Sequence, residues 1–97
     1  MPKVEVENVI RPGNTRKVDA AKYQAVRNAY LRILPATSPG FTPAEILARL
    51  MPLLANDLFP GGATAGWWAK TVQLDLEAKG LAVRTANPVR LRRITPA

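Results

Sequence analysis

The chain has 97 residues, of which 47% are hydrophobic, and sets 14 Lys and Arg against 7 Asp and Glu for a net charge of +7 and a pI near 10.6. That length suits one domain with one core, no run reaches the ~20 apolar residues of a membrane span, and the opening "MPKVEVENVI" lacks the basic and apolar blocks of a secretory leader. Cysteine and histidine are both missing, which removes disulfides, thiolate ligands and the common nucleophile–base pairs; what remains is the expectation of a cytoplasmic basic protein whose charge favours a polyanionic partner such as nucleic acid.

The first element is "KVEVENVI", residues 3–10, in which Val4 and Val6 alternate with Glu5 and Glu7. A period of two marks a half-buried strand. "RPGN" supplies a turn and "TRKV" returns, so 3–18 reads as a β-hairpin. Asp19 then caps a helix, because its carboxylate can accept from the free amides of the next turn. Tyr23, Val26, Tyr30, Ile33 and Leu34 form one apolar face across 20–34, and Lys22, Arg27 and Arg32 occupy the rest. Pro35 stops this helix, and "PATSPG" is a loop.

Thr42-Pro43-Ala44-Glu45 opens a second helix with a cap, a preset φ and a capping box. Ile46, Leu47, Leu50 and Met51 form its buried side, and Pro52 ends or kinks it. "PLLANDLFPGG" connects, with a loose helical turn over 53–58 and Pro60-Gly61 at the centre of a type II turn. A third helix runs over 63–79, with Gly80 as its left-handed terminator. "LAVRT" and "VRLRRI", separated by "ANP", form a second hairpin across 81–94.

The order is hairpin, three helices, hairpin: an α+β chain read as one domain, 1–97. With the junction "LDLEAKGLAVR", residues 20–94 resemble a winged helix-turn-helix domain. The segments "RPGNTRKVDAAKY" and "FPGGATAGWWAKTVQLDLEAKGL" are also similar to a family of short bacterial proteins of unknown function, a resemblance that implies no activity. The winged-helix resemblance implies DNA binding, as in a regulator of transcription, with the last hairpin as a wing on the phosphate backbone. One departure is the link over 51–63, longer than the about 3–4 residues of a tight helix-turn-helix. The groove-reading geometry of that motif therefore does not carry over.

The neighbouring Trp67 and Trp68 point about 100° apart on a helix. Trp68, Val72 and Leu76 share one apolar flank, assigned to the core made with the first two helices. Trp67, Leu74 and Ala78 form another, for which the N-terminal hairpin, through Val4, Val6 or Val18, is the expected cover and a second copy of the chain the alternative. Asp75 lies between the flanks and needs a partner, since a carboxylate buried alone is costly; Arg16, Lys17 or Arg27 could supply it. Gly66, Lys70, Gln73 and Glu77 make up the polar sector.

Ser38 is the only serine and has no evident base, and the acids show no calcium-loop spacing. "PGGATAG" lacks the Lys-Ser/Thr pair of a phosphate loop. No enzyme, metal, cofactor or small-molecule ligand is implied. The stronger signal is Arg84, Arg90, Arg92 and Arg93 in residues 80–97, which hold no acid. Arginine grips phosphate in a bidentate fork; Arg84, Arg90 and Arg92 are the expected backbone contacts, with Arg93 turned away. Lys70 and Gln73 are the candidate groove residues, Gln73 as a reader of adenine. The competing expectation is a protein-interaction scaffold that docks a partner, or a homodimer, through Trp67 and Leu74. An RNA- or ribosome-associated role is a third reading, from charge alone.

Overall fold

The alternating valines of the first element fold back as their pattern requires. The computed structural model describes residues 2–94. In it β1 (Lys3–Val6) and β2 (Arg16–Asp19) pair antiparallel, with Val4 opposite Val18 and Val6 opposite Arg16. Val6 and Val18 are buried. The connecting loop is knit at Asn8, whose side-chain oxygen accepts from the amides of Ile10 and Arg11. The "RPGN" turn closes when the Asn14 amide donates to the Arg11 carbonyl, with Gly13 at φ 86.

Helix α1 (Ala20–Ile33) starts without a break, and the Asp19 carboxylate accepts from the Lys22 amide at 2.9 Å. Tyr23, Val26, Ala29, Tyr30 and Leu34 turn inward. Helix α2 (Pro43–Leu50) has the full capping box: Thr42 Oγ1 accepts from the Glu45 amide, and Glu45 Oε1 accepts from the Thr42 amide at 2.9 Å. Ile46 and Leu50 are fully buried, but Met51, expected inside, is exposed. Met51 keeps helical angles, φ −48 and ψ −50, before Pro52 tightens the chain into a 3-10 turn, Met51–Leu53, and its side chain lies against Gly62 at the surface instead of in the core. After the buried Phe59 the expected type II turn forms at Pro60-Gly61: the Gly62 amide donates to the Phe59 carbonyl at 2.9 Å, with Gly61 at φ 61 and ψ 19.

Helix α3 (Ala65–Ala78) begins two residues later than its pattern suggests. Thr64 takes a left-handed backbone, φ 60, which a β-branched residue adopts at a cost of about 1–3 kcal/mol. At the other end the Gly80 amide donates to the Glu77 carbonyl and the Leu81 amide to the Leu76 carbonyl, with Gly80 at φ 74. That paired closure is the left-handed stop the glycine allows.

Strands β3 (Ala82–Thr85) and β4 (Arg90–Arg93) then pair antiparallel, with Arg84 opposite Leu91 and Val83 opposite Arg92. Phe41, between α1 and α2, adds a bridge on the far side of β4 by exchanging two hydrogen bonds with Leu91, at 2.9 and 2.8 Å. Gly40 makes room for this: any side chain there would run into the Leu91 carbonyl. The Arg93 amide also donates to the Pro35 carbonyl at 2.8 Å. The architecture is α+β, three helices and two small antiparallel hairpins around one apolar cluster to which both hairpins contribute.

Candidate nucleic-acid interface

Successive residues of a strand point to opposite faces, and Leu91 is fully buried. Arg93 therefore lies on the Leu91 side of β4, yet it is exposed, and its Nε is 3.5 Å from the Leu34 carbonyl, long for a hydrogen bond. Arg90 and Arg92 face outward, opposite Thr85 and Val83. This division is as the alternation predicts. Arg84 departs from expectation: directly across from Leu91, it is on the inward face. Its guanidinium grips Glu77 with two bonds, Nε at 2.6 Å and Nη2 at 2.8 Å. The Glu77 side chain is only 5% exposed, and the bond to it holds the Arg84 guanidinium above its ordinary pKa against the opposing effect of burial. Arg84 is thus a structural cation, and the expected outward set of three arginines reduces to two.

Arg90 is loosely held. Its Nη1 is 3.4 Å from the Gly40 carbonyl and 3.5 Å from Glu45 Oε1, long for hydrogen bonds. Glu45 is engaged mainly by its own cap: the Thr42 amide, then the Thr42 hydroxyl, hold its carboxyl below the usual range.

On α3 the expected polar ridge is largely covered. Gln73 is 2% exposed and donates to Glu77 Oε2 at 3.1 Å, so it is not available to read a base. Helical periodicity places Gln73 and Glu77 opposite the Trp68 flank, but the start of α2 and the β3–β4 hairpin close over that side. Gln73 lies in a cleft of about 230 Å³ with Tyr30, Pro43, Ala44 and Leu47. Lys70 sits at the rim of the same cleft and is exposed.

The two indoles separate as their spacing demands. Trp68 is buried and meets Phe59 edge-on at 6.3 Å. Trp67 stands edge-on to Trp68 at 5.1 Å and remains 44% exposed. The N-terminal hairpin does not cover it as expected. It reaches α3 further along, at Thr71 and Leu74, and leaves a cleft of about 180 Å³ there. What reaches Trp67 is one side chain, Arg16, whose guanidinium lies 5.7 Å from the ring centroid. The register that puts Arg16 opposite Val6 turns it toward the helix.

Asp75 is fully buried and fully partnered, though by none of Arg16, Lys17 or Arg27. Lys79, one turn on, bonds both carboxylate oxygens at 2.7 and 2.9 Å. The Tyr23 hydroxyl donates at 2.5 Å and the Glu7 amide at 2.8 Å. Burial first, then the Asp75 carboxylate, raises the Tyr23 phenol. Burial works to lower the Lys79 ammonium, but Asp75 outweighs it and the net shift is upward. The cluster fastens β1, α1 and α3 together. The sequence signal for Lys79 was its i+4 spacing from Asp75.

Among the described residues no three His, Cys, Asp or Glu side chains are grouped to hold a metal ion, and no helix is long and apolar enough to cross a membrane. Residues 3–91 match the model of a family of unknown function, DUF6958, and the chain belongs to that family. Comparison with the curated proteins and with the solved structures finds no match.

Proposed function

We propose that this member of the DUF6958 family is a winged-helix domain that binds the backbone of duplex DNA through Arg90, Arg92 and Lys70. The reading is carried by the β4 arginines: Arg90 and Arg92 share the outward face of the hairpin, where the residues across the strand, Thr85 and Val83, are uncharged and only Glu45, 3.5 Å from Arg90 Nη1, approaches from α2. The strand order supports the wing. A bridge at Phe41 between α1 and α2 pairs with β4, the last strand after α3; helix, short strand, helix, helix and terminal hairpin is the winged-helix order.

Lys70 lies across the α2–α3 cleft from Pro43 and Ala44, and Glu45, in the same turn of α2 as Ala44, is beside Arg90. Arg90 and Lys70 thus flank the start of α2, and a phosphate backbone that touches both must take Arg90 from the Glu45 carboxylate, which repels it. Such contacts position a duplex without reading its sequence. With Gln73 buried, α3 offers little for bases, and the binding should tolerate any sequence.

The test is a gel-shift titration of the full chain with mixed-sequence duplex over a salt series. Three phosphate contacts predict an affinity loss of about fortyfold between about 50 and 200 mM salt. Absence of a complex at about 100 µM protein in low salt would remove the proposal.

A further inference from the structure

We infer that the cleft between the β1–β2 hairpin and α3, with Trp67 at its edge, takes an unpaired nucleobase of a single-stranded nucleic acid. The inference rests on the nucleic-acid reading above, but its surface is built from Trp67, Arg16 and the cleft beside them rather than from the β4 arginines. Trp67, Thr71 and Leu74 follow one another along one strip of α3, and Arg16 both lines the cleft and lies over the Trp67 ring. Indole, cleft and guanidinium therefore form one surface.

Three features select the occupant. The indole is 44% exposed and fixed in direction by its edge-on contact with Trp68, so a flat ring can stack on it without an ordering cost. Most residues lining the cleft are polar: Asn8, Asn14, Thr15 and Thr71 accompany Val6 and Leu74. That suits the edge of a base better than an apolar peptide side chain. Glu7 also lines it, and its carboxylate repels phosphate, so a neutral base enters while the phosphodiester stays at the rim. The cation at the rim is Arg16, on the face of β2 turned to α3. Arg16, exposed and 5.7 Å from the ring centroid, is near the ~6 Å limit of a cation–π contact. A base can displace it, releasing the guanidinium to the phosphate.

Fluorescence anisotropy of labelled oligothymidine and oligouridine, beside a mixed-sequence duplex, tests this with the full chain and with Trp67→Ala, Trp67→Phe and Arg92→Ala. Trp67→Ala should weaken binding of the single strands about tenfold and leave the duplex unchanged, and Trp67→Phe should keep most of the affinity. Circular dichroism should show both Trp67 variants folded. Single-strand binding equal in wild type and Trp67→Ala, or equal losses for single strand and duplex, would overturn the inference. Duplex binding that Arg92→Ala does not weaken, with single-strand binding still dependent on Trp67, would overturn the wing reading and leave this one standing. Sedimentation that shows a dimer dissociated by Trp67→Ala, with no oligonucleotide bound, would assign the surface to a second copy of the chain and overturn it.

Discussion

Each hairpin pairs two four-residue strands antiparallel, yet their outer faces carry charge in opposite ways. On β1–β2 the register sets Lys3 opposite Asp19 and Glu5 opposite Lys17, so the face balances itself across the strands. On β3–β4 the same positions hold Arg92 opposite Val83 and Arg90 opposite Thr85, and nothing on the hairpin offsets the cations. The inner faces differ in the same sense. Each directs one arginine at α3, but Arg16 meets a half-exposed indole while Arg84 meets a buried carboxylate. A surplus of arginine in sequence therefore says little until each is assigned a face. On the β3–β4 hairpin the only acid near the outward cations comes from outside it, Glu45 at 3.5 Å from Arg90.

The comparison can be broken most forcefully at Leu91. It is fully buried and joined to Phe41 by two hydrogen bonds, so Leu91→Ala should cost about 3 kcal/mol by urea unfolding. Val18→Ala on the other hairpin should cost nearer 2 kcal/mol. Next come the inner arginines. Arg84→Ala leaves the Glu77 carboxylate buried with only Gln73 to serve it and should cost about 2–3 kcal/mol. Arg16→Ala removes an exposed cation–π contact and should cost less than about 1 kcal/mol. Equal losses would mean that both hairpins use their inner arginine structurally.

The fastening of β1–β2 should also respond to alkali. The pKa values of Tyr23 and Lys79 are both raised in the folded chain. The stability they confer is complete below their ordinary values of 10.0 and 10.5 and is lost as the pH climbs through the raised ones. Thermal melts in an alkaline series should thus fall steeply above that range, and Tyr23→Phe should flatten the fall. The smallest effect sharpens the contrast between outer faces. Arg92→Ala and Lys17→Ala should each leave stability within about 0.5 kcal/mol, but only Arg92→Ala should reduce the salt slope of duplex binding, by about 1.

Much of the framework is legible in the residues themselves. The Asp19 cap, the Thr42–Glu45 capping box, the Gly80 stop and the valine alternation are interactions within a few residues, and each is present as its pattern implies. The alternation also separates Arg93 from Arg90 and Arg92 correctly. The failures are of another kind. Met51 lies against Gly62 at the surface rather than in the core, and Thr64 delayed α3 by adopting a backbone its residue type disfavours.

Local rules thus determined most element ends, though not the start of α3, and which side chains share a face, because hydrogen-bond caps and helix or strand periodicity act over one or two turns. What lies opposite a face is decided by elements distant in the chain. The β3–β4 hairpin and the start of α2 buried Gln73 and captured Arg84. The first hairpin landed on Thr71 and Leu74 rather than on Trp67. Only tertiary structure could separate the arginines that hold the fold from those left outside it, because burial and ion pairing depend on which surfaces meet.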